Sequence, residues 1–112
     1  MKKFQLGEFE ELVLLTVGVL YGNAYGVAIK EEIEKRHNRK VSIGAMQSAL
    51  RRMEEKGFIV SELGESTKAR GGKRKRFFRI TAFGKQALDY NIQTRLELWK
   101  EIPDVAFQFK LC

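Results

Sequence analysis

The chain has 112 residues, 44% of them hydrophobic and 31% charged, which suffices for one domain with a modest core and excludes both a disordered tail and two full domains. Its net charge of +7 is concentrated: Lys68, Arg70, Lys73, Arg74, Lys75, Arg76 and Arg79 fall within residues 68–79 without one acid, while the remaining basic residues balance the 14 acidic ones. The single cysteine, Cys112, excludes an intramolecular disulfide and a Cys-based zinc site, and no metal-ligand set or cofactor motif is present.

In chain order, Met1-Lys2-Lys3-Phe4 is followed by Glu8, Glu10 and Glu11, where a signal peptide would need its apolar region. The run Leu12–Leu20 is far shorter than the roughly 20 residues that cross a bilayer, so a cytoplasmic protein is expected. Phe9, Leu12, Val13, Val17 and Leu20 follow helical spacing, and Leu14, Leu15 and Val19 fill the other faces. A helix apolar nearly all round must be covered on more than one side, in part by a second subunit in so small a domain. Gly22 ends it. A second helix is predicted from about Tyr25 to His37, with Val27, Ile29 and Ile33 toward the core.

A third helix is predicted over Ser42–Lys56, with Ser42 as N-cap and Gly57 as terminator. Met46, Ala49, Leu50 and Met53 form one apolar stripe; Gln47, Ser48, Arg51, Arg52 and Glu55 occupy the opposite face. Arg51 and Arg52 beside Glu54 and Glu55 also fit a solvated face with intrahelical ion pairs. Phe58–Leu63 and Arg76–Ile80 then read as strands of a long-looped hairpin around Gly71-Gly72, with the basic run on its tip and returning strand. Thr81 caps a last helix with the packing stripe Leu88, Ile92, Leu96 and Trp99, ended by Pro103, and the tail Val105–Leu111 alternates like a strand. The lone histidine, His37, has no nucleophile or ligand set around it, so an enzyme is not expected.

Three helices and a hairpin are the order of a winged helix-turn-helix, whose third helix enters the major groove while the wing follows the backbone or minor groove. The fold expected is mainly α with a small antiparallel β-hairpin: residues 1–80 as the DNA-binding part and 81–112 as a C-terminal helix and tail, in one compact unit. Gln47, Ser48 and Arg51 offer the amide, hydroxyl and guanidinium groups that bond base edges and phosphates. Crowded cations on the wing repel one another unless a polyanion screens them, so they supply the electrostatic contribution to binding. The alternative is a winged-helix module whose basic wing binds RNA or an acidic protein, although no exposed aromatic platform for single-stranded RNA is evident.

The segments Leu6–Leu15, Ala24–Ile29, Arg52–Ile59 and Lys73–Gly84, taken in order, resemble the PadR family of bacterial transcriptional regulators, over nearly the whole chain from Leu6 to about Leu88. The resemblance implies a homodimer joined through the first and last helices, usually a repressor on a near-palindromic operator. It places Tyr25 at a backbone phosphate, Ser42, Gly44, Ala45, Gln47, Ser48 and Arg51 on the recognition helix toward the groove, and Lys73, Arg74, Lys75 and Arg76 on the wing. Leu12, Leu15, Leu88, Ile92, Leu96 and Trp99 then fall at the dimer contact, and Trp99 is the residue able to stack a small aromatic effector. The chain departs from the family at Gln47 and at Phe77-Phe78, where tyrosines are frequent.

Overall fold

The computed structural model describes residues 2–64 and 74–108, so Lys68, Arg70 and Lys73 of the basic run lie outside the described residues. After a short 3-10 turn at Lys2–Phe4 come three helices, α1 (Glu8–Val19), α2 (Gly26–His37) and α3 (Ile43–Glu55). Strands β1 (Ile59–Leu63) and β2 (Arg76–Ile80) pair antiparallel, with Ile59 opposite Ile80 and Leu63 opposite Arg76. The long helix α4 (Ala82–Glu101) follows, and a 3-10 turn at Asp104–Phe107 succeeds Pro103.

The local causes are those the residue types predict. Ser42 Oγ accepts the Ala45 N–H at 3.0 Å and Thr81 Oγ1 accepts the Gly84 N–H at 3.0 Å, satisfying one orphan donor at the start of α3 and of α4. Each such cap contributes about 1 kcal/mol. Gly57 ends α3 at φ +83°, a conformation that disfavours a side chain.

The core lies where α1, α2, α3 and the hairpin meet. Met46, Ala49, Leu50 and Met53 are at most 1% exposed, as the stripe on α3 predicts, and they pack with Val13, Leu14, Val17, Ile29, Ile33 and Phe58. Phe58 stacks on Phe83 with ring centroids 5.3 Å apart, seating the start of α4 against the hairpin. That approach is close enough to require glycine: a Cβ on Gly84 would stand 2.1 Å from the Phe58 carbonyl oxygen.

Two details of the sequence reading are corrected, and one alternative is set aside. Val27 is 52% exposed, because α2 turns Ile29 and Ile33 inward and needs no third apolar residue there. Residues Asp104–Phe107 coil into a 3-10 turn where alternation predicted a strand, since no neighbouring strand offers them a ladder among the described residues. Phe109 to Leu111 fall outside the described residues. The alternative of a solvated α3 face with intrahelical ion pairs is not what forms among the described residues, because Arg52 and Glu54 take partners on other elements.

Candidate nucleic-acid interface

The exposed side of α3 is narrowed by what its two flanks hold. On one flank, Arg52 Nε donates to Glu10 Oε2 on α1 at 2.9 Å, and Lys56 Nζ stands 3.5 Å from Glu10 Oε1. Glu10 is only 7% exposed. Burial alone would raise its carboxyl, but the Gly7 N–H, Arg52 and Lys56 together outweigh that and hold it below the ordinary glutamate range. On the other flank, Ser61 of β1 donates to Glu54 Oε2 at 2.7 Å and accepts from Arg76 Nη1 at 2.9 Å, which ties the wing to α3.

Between the flanks run Gly44, Ser48 and Arg51, spaced i, i+4 and i+7 so that they align along the helix. Among the described residues the Ser48 and Arg51 side chains have no hydrogen bond or ion pair, so their polar groups are open to an external partner. Arg52, its neighbour in sequence, is committed to α1. Gly44 and Ala45 are exposed, and a Cβ on Gly44 would meet nothing within 4 Å. Gly44 is the second residue of α3 and has no positive φ, and no contact among the described residues requires a glycine there.

Gln47 sits on the shoulder of this front. Its amide nitrogen would lie 3.4 Å from a Cβ on Gly26, so it covers the first turn of α2, where Tyr25 is the N-cap residue and supplies no side-chain cap. Tyr25 packs edge-on against Phe77 of β2 at 5.7 Å, Lys75 Nζ stands 3.8 Å from the Tyr25 ring centre, and the Phe78 N–H donates to Ala24 O at 2.8 Å. The wing is thus pinned to the start of α2 as well as to α3. Unsatisfied first-turn N–H groups beside a lysine favour an anion such as a phosphate. Glu34 fixes the turn between α2 and α3: its Oε2 accepts the Val41 N–H at 2.8 Å, and that bond, with Lys30, lowers its pKa.

The predicted wing residues Arg74 and Arg76 are exposed and Lys75 is half-buried against Tyr25, while Lys73 lies outside the described residues. Arg79, which the basic run includes, stands 4.0 Å from Glu62 with both side chains exposed, a pair of little energetic weight. Sequence reasoning missed Glu10 altogether. The available signal was an acid pair, Glu10-Glu11, inside a helix apolar nearly all round.

The predicted contact stripe divides. Leu88 is 8% exposed and belongs to the protomer's own core, Ile92 and Leu12 are half-buried, and Leu15, Leu96 and Trp99 are exposed. Every residue of α4 after Ile92 is exposed, and among the described residues the aromatic ring against Trp99 is Phe107, at 5.8 Å between ring centres. Among the described residues no group of three or more His, Cys, Asp or Glu is placed to hold a metal ion. No helix among them is long and apolar enough to cross a membrane.

Three helices, a pinned two-stranded wing and a bare helix front between anchored flanks define a winged helix-turn-helix protein. Residues 14–90 match the transcriptional regulator PadR-like family, and the chain belongs to it; it is a DNA-binding regulator and not an enzyme. Among solved structures, a PadR-like transcription factor from Bacteroides fragilis is similar at 22% identity and TM-score 0.69, over 82% of this chain and 84% of that one. A PadR family transcription regulator from Clostridium difficile is 28% identical, with TM-score 0.59, over 80% of this chain and 91% of its own. A protein from Thermoplasma acidophilum, described as a transcriptional regulator, is 22% identical, with TM-score 0.65 and coverages of 88% and 93%. Archaeal proteins also share the fold, so the fold alone does not mark the chain as bacterial. No curated protein matches the sequence significantly.

Proposed function

We propose that the protein is a cytoplasmic, sequence-specific repressor that binds duplex DNA as a homodimer. The observation that carries the reading is the front of α3: Gly44, Ser48 and Arg51 are left open between flanks anchored by Glu10 and Ser61, beside wing cations. Gly44 and Ala45 let the helix approach the groove floor closely. Ser48, Arg51 and Gln47 supply groups for bases and phosphates, Ser42 and Tyr25 flank them at the helix starts, and Lys73, Arg74, Lys75 and Arg76 supply the backbone attraction.

The shape of the protomer supports the dimer. Its radius of gyration is 17.6 Å, against about 13 Å for a compact chain of this length, because α4 projects beyond the core. Leu96, Leu98 and Trp99 of that arm and Ile102, Val105 and Phe107 just beyond it stand exposed, a concentration of apolar side chains that a second subunit would cover. Leu6, Phe9, Leu12 and Leu15, together with charged groups that include Glu11, Arg39 and Arg95, line an open groove of ≈ 750 Å³ beside α1, which offers a second copy's arm a place to dock through both apolar and polar contacts. Two-fold symmetry then sets two recognition helices about 34 Å apart on a near-palindromic site.

Exposure of Trp99 beside Phe107 leaves an aromatic surface on which a small flat effector can stack at the dimer contact, releasing DNA. Selection from a random duplex pool, followed by titration of the recovered duplex against random duplex and RNA at several salt concentrations, tests the main reading. A preferred duplex and a steep fall of affinity with salt are expected; equal competition by RNA, or a flat salt response, overturns it. Sedimentation at micromolar concentration checks the dimer, and quenching of Trp99 fluorescence by aromatic compounds checks the effector.

A further inference from the structure

Two consecutive acids of α1 point to different partners. Glu10 holds Arg52 of the recognition helix and Lys56 at its C-terminal cap, and Glu11 holds Arg95 of α4. Both carboxylates are buried, at 7% and 6% exposure, whereas Arg52 and Arg95 keep more than half of their side chains in solvent. Each arginine therefore reaches in to satisfy an acid that cannot reach out. The Glu11 Oε1 atom has no hydrogen-bond partner among the described residues, so Arg95 is the cation on which that buried charge depends. Arg95 stands in the part of α4 beyond Ile92, which carries no buried residue of its own.

We infer that Glu10 and Glu11 form a joint through which the position of the α4 arm sets the rotation of the recognition helix, with Glu10 as a positioning residue for DNA readout. The physical argument rests on what each element can do alone. Helix α1 is buried along Val13, Leu14 and Val17, so it moves as a rigid body. An arm that shifts Arg95 leaves Glu11 a buried, unpaired charge, which is strongly unfavourable, and α1 must adjust to restore the pair. Glu10 lies one residue away on the same rigid turn, and its bond to Arg52 Nε carries the adjustment to the flank of α3. Gly44, Ser48 and Arg51 sit on that helix, so a small rotation moves each of them relative to a base edge. The opposite flank, held by Ser61 and Arg76, supplies the pivot.

This inference rests on the DNA-binding reading for its consequence but not for its mechanics, and the test separates the two. The Nε–H resonance of Arg52, observed by proton–nitrogen NMR in the full chain, reports the joint without DNA. E10Q should shift it strongly, and E11Q and R95K should each shift it as well although neither touches Arg52. K85A, which removes an exposed pair with Asp89 on the same α4, is the control and should leave it in place. An Arg52 signal indifferent to E11Q and R95K, or equally moved by K85A, overturns the joint whatever the protein does with DNA.

The duplex recovered by selection with the parent protein, titrated against a scrambled duplex of equal length, then reads the consequence. E10Q should lower the ratio of the two affinities by about tenfold, the scale of one misplaced base contact, with little change on the scrambled duplex. R52Q should do the same, and the double variant should lose no more than either alone. Equal losses on both duplexes, or additive losses in the double variant, would show that Glu10 serves only stability. A parent that selects no duplex refutes the DNA reading, and with it the claim that Glu10 positions a readout helix, while the Arg52 resonance still decides the joint.

Discussion

Gly44→Ala separates what the fold needs from what the ligand needs. Gly44 is the second residue of α3; it is not among the residues with positive φ, and a Cβ there would meet no heavy atom within 4 Å. Alanine therefore enters without strain, and reduced freedom of the unfolded chain should stabilise the protein by about 0.4–1 kcal/mol. For a domain of this size that corresponds to a melting temperature higher by roughly 2–6 °C. Against DNA the same methyl stands on the open front beside Ser48, where a closely fitted surface accepts extra volume at a cost of about 1–3 kcal/mol. Affinity for the selected duplex should fall about fivefold or more while stability rises. The assays are calorimetric melting and fluorescence-anisotropy titration on the same preparation. A variant that gains stability and binds as tightly as the parent would remove the front of α3 from the interface.

Adjacent arginines should behave oppositely. R51A should cost about 1–3 kcal/mol of binding with stability nearly unchanged, whereas R52A should cost about 1–2 kcal/mol of folding stability, the buried-pair value reduced because Arg52 is half in solvent. Because Glu10 titrates below its ordinary range in the folded state, the contribution of Arg52 is complete well above pH 4.3 and fades only as pH falls through that depressed value; urea titrations of parent and R52A should differ most at about pH 7, and the difference should shrink as acidification protonates Glu10. G84A forces a methyl into the Phe58 carbonyl and should destabilise by about 3 kcal/mol or prevent folding, visible as a melting temperature lower by more than 10 °C. Replacing Arg74 and Lys75 with glutamine removes two cations from each subunit of the proposed dimer, so it should lower affinity for selected and random duplex alike and reduce the salt slope by up to about 3–4, and a loss confined to the selected duplex would mean that the wing reads bases.

The elements were legible because local chemistry and tertiary packing agree: Ser42 and Thr81 cap, Gly57 stops, and the α3 stripe is buried as its spacing requires. The tail misled because alternation specifies a strand only where a partner strand exists, and Val105 to Phe107 have none among the described residues. Within the site, the polar face of α3 was legible as a set of residue types but not as a surface. Arg51 and Arg52 differ by one position, and nothing in their sequence neighbourhood shows that Glu10, 42 residues away, takes one and leaves the other. Long-range charge pairing of that kind depends on how α1 lies across α3, which periodicity within either helix does not encode. The same holds for Lys75 and Tyr25, whose contact closes the wing onto α2.

Anchoring both flanks of the recognition helix through charged groups has a consequence for how specificity and affinity divide. Phosphate attraction acts over roughly 10 Å at moderate salt and tolerates small displacements, so wing cations on a tip need no exact placement. Hydrogen bonds to base edges weaken steeply with angle and distance, so the groups that make them must be held. The cations nearest the front are distributed accordingly: Arg74 is unpaired among the described residues, Lys75 rests on a ring, and Arg76, Arg52 and Lys56 are tied into networks that brace α3. Three positive charges thus serve as braces at the edge of the surface where DNA would dock, which leaves Arg51 as the unpaired cation on the front of α3. Discrimination between sequences should therefore be more sensitive to Glu10, Glu54 and Ser61, none of which carries positive charge, than to most of the basic residues that give the chain its net charge.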